Sequence, residues 1–298
     1  MSGTNIGKYI LVTGATGRQG GAVVQNLLKN NLPVRALTRS PDSISSQALI
    51  SKGVHLIKGD MGDPDSLIHA MTDCYAVFSI QNFFEYGAEP EIRYGKNMAD
   101  AAKKTGVSHF VYSSVCNAGD HTGVPHFETK FIIEKYIQQI GLPATILRPV
   151  KFMENYYILQ VFKGILGGKL FDPINAAKRH QMIAAEDIGK YAAAVFLNPD
   201  KSMGLEIELA GDELSNDQIA DTMSHILGTK IKFRRLPLFV ARLMMDREMY
   251  LMFKWFNEKG FSADMERTKS HFPSIVPTTL SKWLLNENWQ RWNKKGTV

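Results

Sequence analysis

A glycine-rich turn directly after the first apolar segment is the feature that most constrains how this chain can fold. Residues 9–13 form a nearly continuous apolar run, typical of a strand that is buried on both faces. Helical periodicity begins near Ala22, so the turn joins a strand to a helix. Gly14 permits a tight bend, Gly17 lets the backbone approach a pyrophosphate, and Gly20 lets the helix pack closely on the strand. The turn therefore predicts a phosphate site at a helix N-terminus, formed by Gly14, Ala15, Thr16, Gly17, Arg18, Gln19 and Gly20.

Five further apolar segments follow at 34–38, 54–57, 76–80, 110–113 and 144–147. Helical segments near 43–52, 64–73 and 90–105 separate most of them. Strands that alternate with helices favour right-handed crossovers and a parallel sheet. The last third of the chain is mostly helical and rich in large apolar residues. We therefore predict an α/β fold, a Rossmann-type doubly wound parallel sheet with a smaller, mostly helical C-terminal lobe.

The residues that follow the second and third strands indicate which dinucleotide is bound. An acidic residue after the second strand would hold a ribose 2′-hydroxyl, but this chain has Arg39 there, whose guanidinium suits a phosphate. Ser40 and Ser43 add hydroxyl donors, so we expect NADP(H), the alternative being a solvated surface arginine. After the third strand, Asp60 is expected to accept a hydrogen bond from adenine and Met61 to stack on it. Asp63, which precedes Pro64, is interpreted as a helix N-cap.

The predicted domain division follows from this arrangement. Residues 1–152, joined by 183–210, form the NADP(H)-binding Rossmann domain. Residues 153–182 and 211–298 form the smaller lobe, which closes a cleft against the carboxyl edge of the sheet.

Composition excludes several other classes of function. No apolar run approaches the roughly 20 residues that a bilayer span needs, and the first residues lack the plan of a signal peptide. Two cysteines and no cluster with metal-ligand spacing predict a cytoplasmic protein with reduced thiols and no metal. The formal net charge of +6 is scattered along the chain, so we expect neither nucleic acid nor membrane as a partner. Oligomer formation stays open.

The chain resembles the short-chain dehydrogenase superfamily and, within it, the atypical NmrA-like family. The resemblance spans nearly the whole sequence and is carried by the glycine turn, by residues 38–41 and 59–60, and by four later segments. These segments are His126-Phe127-Glu128-Thr129-Lys130, Leu147-Arg148-Pro149, Phe152-Met153-Glu154-Asn155 and Ala185-Glu186-Asp187-Ile188-Gly189.

The resemblance also implies cofactor contacts for the nicotinamide half. It places Gln81, Asn82 and Phe83 along that half, with Arg93 nearby. Lys130 would contact the nicotinamide ribose, and Phe152, Met153, Glu154 and Asn155 would close over the ring.

One departure from the superfamily pattern leaves the chemistry open. Most members reduce carbonyls with a Tyr-x-x-x-Lys pair, but His126 stands four positions before Lys130, and Val115 occupies the expected place of the active hydroxyl. Lys130 and His126 are therefore the candidate catalytic residues if the chain is an enzyme. The favoured hypothesis is a redox sensor that distinguishes NADPH from NADP⁺ and signals to a regulatory protein partner.

The alternative hypothesis is an NADPH-dependent reductase of quinone-like or other electrophilic molecules. A small aromatic or quinone-like substrate would suit a cleft lined by Phe83, Phe84, Tyr156 and Tyr157. Packing of these rings in the core is an equally open interpretation.

Overall fold

The computed structural model describes residues 9–287 of the chain. Strands and helices are numbered in chain order. The strands are β1 (Tyr9–Val12), β2 (Val34–Thr38), β3 (His55–Lys58), β4 (Cys74–Ser79), β5 (His109–Ser113), β6 (Ala144–Pro149), β7 (Lys151–Phe152), β8 (Lys169–Asp172), β9 (Arg179–Ile183), β10 (Glu206–Leu209), β11 (Asp212–Ser215) and β12 (Lys232–Arg235).

The helices surround these strands and connect most of them. They are α1 (Arg18–Lys29), α2 (Ile44–Ile50), α3 (Pro64–Met71), α4 (Phe83–Tyr86), α5 (Ala88–Thr105), α6 (Pro125–Gln139), α7 (Leu159–Leu166), α8 (Ala185–Leu197), α9 (Pro199–Ser202), α10 (Asn216–Leu227), α11 (Leu238–Met244), α12 (Arg247–Glu258), α13 (Met265–His271) and α14 (Leu280–Asn286). A short 3-10 helix covers Met153–Tyr157.

Seven strands form one parallel sheet in the order β10-β6-β5-β4-β1-β2-β3. β1 pairs with β2 on one side and with β4 on the other, and both pairings are parallel. The chain winds outward in opposite directions from β1 and β4, so the crossover connections diverge at this point and leave a crevice at the carboxyl ends of the two strands. The predicted Rossmann-type sheet is confirmed, and its topology sets where a ligand would lie.

Both faces of the sheet are covered because alternate side chains of each strand point to opposite sides. Ile10 and Val12 belong to one apolar cluster, whereas Leu11 between them belongs to the other. The first cluster includes the helix residues Val23, Leu27 and Ile188, and the second includes Leu67, Met98 and Ile133. This two-sided burial explains why the strands read as continuous apolar runs.

The remaining elements form smaller layers beside the sheet. β11, β9 and β7 make a three-stranded sheet, β12 and β8 pair in parallel, and α10, α11, α12 and α14 complete this part of the molecule. It has its own apolar cluster, which includes Met182, Ile219 and Trp283. α13 packs instead on β10 of the main sheet, where Thr268 donates to the carbonyl oxygen of Glu208. The predicted helical C-terminal part is confirmed, but the sequence did not indicate the short strands β8, β9, β11 and β12. The domain boundaries at 152, 182 and 210 stay a prediction.

No helix within residues 9–287 combines the length and apolar character that crossing a bilayer requires. The same part of the chain brings together no group of three or more His, Cys, Asp or Glu side chains that could share a metal ion.

Candidate functional site

A cleft of about 590 Å³ opens at the carboxyl ends of β1, β2, β3 and β4. Its volume lies in the range typical of small-molecule sites. Most of the predicted cofactor residues line it: Gly14, Ala15, Thr16, Gly17, Arg18, Gln19, Gly20, Arg39, Ser40, Ser43, Asp60, Met61, Gln81, Asn82 and Phe152. The lining also includes residues that the sequence did not single out as ligands: Thr13, Leu37, Thr38, Ser46, Gly59, Ile80, Glu85, Tyr86 and Tyr94.

The glycine turn has the geometry that its sequence predicts. Gly14 adopts a φ of +61°, in the left-handed region, and its carbonyl oxygen accepts a hydrogen bond from the N–H of Gly17 at 2.9 Å. A Cβ at Gly20 would overlap that same carbonyl group. The turn therefore brings the first residues of α1 close to the end of β1, beside the cleft.

The N-terminus of α1 faces the cleft without a side-chain cap. Within the described part of the chain, Gly17 precedes the helix and no side chain accepts a hydrogen bond from its first N–H groups. The side chain of Gln19 does not cap the helix either, since its amide donates to the hydroxyl of Ser113. The helix therefore offers backbone N–H groups and a partial positive charge to an anion.

Arg18 connects the glycine turn to the segment after β7. Its guanidinium donates to the carbonyl oxygen of Glu154 at 2.8 Å. The carboxylate of Glu154 faces away from Arg18, because it accepts from the N–H of Ala185 at 3.0 Å and from the indole of Trp283 at 3.2 Å. Burial raises the pKa of this carboxyl. The Glu154 carboxylate thus binds the first N–H group of α8 and links that helix to α14, and it does not line the cleft.

Arg39 lies at the end of β2 and is already paired. Its Nη2 atom is 2.7 Å from Oε1 of Glu85, and its guanidinium lies 5.5 Å from the ring centroid of Tyr86. The hydrogen bond to Glu85 is the main cause that raises the pKa of Arg39. Ser43 lines the cleft beside it and caps α2 by accepting from the N–H of Ser46 at 3.2 Å. The guanidinium of Arg39 and serine hydroxyl groups therefore lie together at this end of the cleft.

The end of β3 and the end of β4 form the next part of the lining. One carboxylate oxygen of Asp60 accepts from the N–H of Gly62 at 2.6 Å. The Gln81 amide donates to the hydroxyl of Ser79 at 2.9 Å and contacts the sulfur of Met61 at 3.7 Å. Its Oε1 atom is buried without a hydrogen-bond donor among residues 9–287. Gln81 therefore lines the cleft and carries a buried acceptor that no donor among the described residues uses.

Lys130, in the second turn of α6, is fixed by a buried carboxylate. Its ammonium lies 3.0 Å from Oε1 of Glu91 and 3.5 Å from the carbonyl oxygen of Gln81. Glu91 belongs to α5 and is fully buried, and its second oxygen accepts from the hydroxyl of Thr129. Lys130 does not line the cleft as the structure has it, but it borders Gln81, which does.

His126 lies one helical turn before Lys130 and is bonded to the smaller part of the molecule. Its Nδ1 atom and its backbone N–H both bind Oε1 of Glu248, the latter at 3.0 Å. The imidazole ring packs against Phe84 and Phe127, with centroid distances of 5.2 Å and 4.6 Å. Glu248 comes from the first turn of α12, so this pair links α6 to α12.

Several predicted contacts lie outside the cleft lining. Phe83 packs on His126 at 5.7 Å, and the guanidinium of Arg93 lies 5.4 Å from the ring of Tyr94. Met153 is fully buried in the apolar cluster around Trp283, and the carbonyl oxygen of Asn155 accepts from Ile158 within the 3-10 helix. Direct cofactor contacts by Phe83, Arg93, Met153, Glu154 and Asn155 stay predictions.

The aromatic residues proposed to line a substrate pocket separate into two groups. Phe83 and Phe84 surround His126, whereas Tyr156 and Tyr157 pack on Trp283 with centroid distances of 6.4 Å and 5.3 Å. Tyr156 is buried, so core packing describes this second group.

The hydroxyl and thiol groups at the end of β5 and directly after it are unsuited to act on a substrate. Ser113 accepts from Gln19, and the hydroxyl of Ser114 is buried. Burial raises the pKa of Cys116 far above its ordinary value. The structure therefore supplies no reactive hydroxyl or thiolate from these three residues.

The sequence did not indicate that three acidic residues pair with predicted site residues: Glu85, Glu91 and Glu248. Each lies in the first turn of a helix, where an acidic residue is ordinarily explained by the helix dipole. Their partners are 46, 39 and 122 positions away along the chain. No local pattern could have identified these pairs.

Comparisons with known proteins place the chain in a family. It is 29% identical to the NmrA-like family domain-containing oxidoreductase FrzB of Cladobotryum sp over 252 residues, which cover 75% of each protein. Its fold matches the NADPH-dependent quinone oxidoreductase QOR2 of Escherichia coli, solved with NADPH, at a TM-score of 0.79 and 22% identity, covering 93% of this chain and 99% of QOR2. It also matches NmrA, a negative transcriptional regulator solved with NADP, at a TM-score of 0.80 and 20% identity over 98% of both chains. The model of the NmrA-like family matches residues 7–284. The chain is therefore a member of the NmrA-like family.

Proposed function

We propose that the chain binds NADP(H) along the cleft at the carboxyl edge of the main sheet. The observation that carries this proposal is that the glycine turn and Arg39, 19 or more positions apart in the sequence, line one cleft. The uncapped N-terminus of α1 suits a pyrophosphate, and Arg39 with Ser40 and Ser43 suits a 2′-phosphate. QOR2 and NmrA, which share the fold, were solved with NADPH and NADP.

The other end of the cleft fits the nicotinamide half. Gln81, Asn82 and Phe152 line it, and the buried Oε1 atom of Gln81 is an acceptor for an amide donor. The ammonium of Lys130 borders this end and is fixed by Glu91. A fixed cation suits the hydroxyl groups of a ribose, which is the contact that the family resemblance implies for Lys130.

The same end of the cleft supports a role in sensing the redox state of the cofactor. NADP⁺ carries a positive charge on its nicotinamide ring and NADPH does not, so nearby charged groups would interact differently with the two forms. The Lys130–Glu91 ion pair and the hydrogen-bonded pair of His126 with the Glu248 carboxylate lie here. Glu248 belongs to α12, so a change in the conformation of His126 would also displace α12. A protein partner that binds α12 would then distinguish the two cofactor forms.

The groups beside the cleft favour this sensor over a carbonyl reductase of the usual superfamily type. His126 occupies the position of the proton-donating tyrosine, and its ring packs among aromatic side chains. The hydroxyl of Ser113 is bonded to Gln19, and Val115 stands where the active hydroxyl is expected. The tyrosine and serine of the superfamily mechanism are therefore both missing.

A reductase of quinone-like molecules is the second candidate, and the His126–Glu248 pair favours it. Glu248 fixes the His126 ring through Nδ1, which leaves Nε2 as the ring nitrogen that would donate a proton to a reduced quinone oxygen. Bound NADPH would supply the hydride, so that hydride and proton together convert quinone to hydroquinone. QOR2 carries out NADPH-dependent quinone reduction, as its name states.

Two measurements on one preparation separate these candidates. The first follows NADPH absorbance with a panel of quinones for the wild-type chain and Lys130→Met. The second compares amide hydrogen exchange in α4 and α12 with NADPH and with NADP⁺. The sensor predicts little turnover and a difference in exchange between the two cofactor forms. Turnover that depends on Lys130, with identical exchange, would contradict the sensor and support the reductase.

A further inference from the structure

The adenosine end of the cleft contains a carboxylate that the expected phosphate would have to displace. Glu85 lines the cleft and its Oε1 atom is 2.7 Å from Nη2 of Arg39. Both side chains are about half exposed, at 55% for Arg39 and 45% for Glu85, so the pair is open to solvent and to ligands. Tyr86, the next residue, also lines the cleft and lies under the same guanidinium.

We propose that Glu85 competes with the 2′-phosphate for Arg39 and thereby lowers the preference of the cleft for NADP(H) over NAD(H). This inference rests on the proposed cofactor site. A 2′-phosphate bound to Arg39 would bring a second anion close to the Glu85 carboxylate. Because two anions share one cation only at a cost in repulsion, the Arg39–Glu85 pair must weaken or open when the phosphate binds.

An unphosphorylated cofactor faces no such competition. A ribose 2′-hydroxyl is a donor, and a carboxylate is the acceptor that dinucleotide sites normally offer to it. Glu85 could accept that hydrogen bond while Arg39 remains paired. The same carboxylate would then disfavour NADP(H) and favour NAD(H), which narrows the discrimination that Arg39 provides.

The segment that carries Glu85 is a short helical turn, separate from the helices on either side. α4 is a single turn that begins after Asn82, whose side chain accepts from the N–H of Phe84 at 3.2 Å, and ends at Gly87, with a φ of +82°. Arg39 is the ion-pair partner that holds this turn against the end of β2. Because both side chains of the pair are about half exposed, rotation of the Glu85 side chain is enough to open it and leaves the main sheet unchanged.

The size of the effect follows from the exposure of the pair. Exposed ion pairs change an equilibrium by up to about fivefold. We therefore expect Glu85→Gln to tighten NADPH binding about three- to fivefold and to leave NADH binding unchanged or weaker. Glu89→Gln, which removes the same charge from the exposed first turn of α5, is the matched control and should change neither affinity.

The test is isothermal titration calorimetry of NADPH and NADH with the wild-type chain, Glu85→Gln, Arg39→Ala and the double variant. Competition through Arg39 predicts that Glu85→Gln no longer tightens NADPH binding when residue 39 is alanine. An unchanged or weaker NADPH affinity in Glu85→Gln would overturn the proposal, and so would an equal gain in the Arg39→Ala background. A wild-type chain that binds neither cofactor would instead refute the proposed function.

Discussion

His126 and Glu248 bind each other across the boundary between α6 and α12. The carboxylate accepts from the backbone N–H of His126 at 3.0 Å and also binds Nδ1 of its ring. Both side chains are nearly buried, with 11% and 15% exposed. This pair joins the helix that carries Lys130 to the smaller part of the molecule, and it stands where most members of the superfamily have their catalytic tyrosine.

Replacing Glu248 by Gln tests what this pair contributes. We expect Glu248→Gln to lower the free energy of unfolding by about 1–2 kcal/mol, because a charge-assisted hydrogen bond becomes a neutral one in a nearly buried place. Urea unfolding at pH 7 measures it. Glu258→Gln on the same helix removes an exposed contact with Lys254 and should change stability by less than about 0.5 kcal/mol. Equal stability of the two variants would show that the pair is energetically unimportant.

The Lys130–Glu91 pair is expected to matter more. Glu91 is fully buried, and Glu91→Gln leaves the ammonium of Lys130 without its counter-charge. Loss of one partner of a buried pair typically costs about 3–5 kcal/mol, so we expect the free energy of unfolding to fall by about 3 kcal/mol, given the partial exposure of Lys130. Chemical denaturation again gives the value, with Glu89→Gln as the control on α5. A loss below about 1 kcal/mol would contradict the account of this pair.

Two buried histidines predict how stability depends on pH. Burial lowers the pKa of His109 and of His180 to about 4. Between about pH 6.5 and pH 4, these two histidines therefore bind protons in the unfolded chain but not in the folded chain. Each histidine lowers the free energy of unfolding by about 1.4 kcal/mol per pH unit as pH falls through this window, and its contribution levels off below about pH 4.

A variant isolates the contribution of one of these histidines. His109→Asn retains a polar group beside Thr145, which His109 binds at 2.8 Å, but no longer titrates. The pH dependence of its unfolding free energy should be shallower by about 1.4 kcal/mol per pH unit between pH 6.5 and pH 4. His69→Asn, at an exposed position of α3, should keep the wild-type slope. Parallel slopes for His109→Asn and the wild type would show that His109 titrates normally.

The sequence was informative where the determinants are local. β1 and β2 are short, largely apolar runs bounded by turn residues, so the sequence locates both within a residue or two. The glycine turn is equally local, since one φ and one close contact explain Gly14 and Gly20. Asp63 before Pro64 does cap α3, as its position predicts.

The contacts that distinguish this site could not be predicted, because they join distant parts of the chain. Glu85, Glu91 and Glu248 look like ordinary acidic residues in first helical turns, and only the fold brings them to Arg39, Lys130 and His126. The carboxylate of Glu154 accepts from Ala185 and Trp283, which the sequence did not indicate, and its expected place over the nicotinamide stays a prediction. The short strands β8 and β9 lie in a segment rich in glycine and aromatic residues, and this composition does not predict strands.

The most direct test is the affinity of the chain for NADPH and NADH, measured by calorimetry for the wild type and for Arg39→Ala. Hydrogen bonds to charged groups contribute about 1.5–3 kcal/mol, so the variant should lose about 10- to 100-fold in NADPH affinity and almost none in NADH affinity. A wild-type chain without affinity for NADPH, or a variant with an unchanged preference between the two cofactors, would contradict the account.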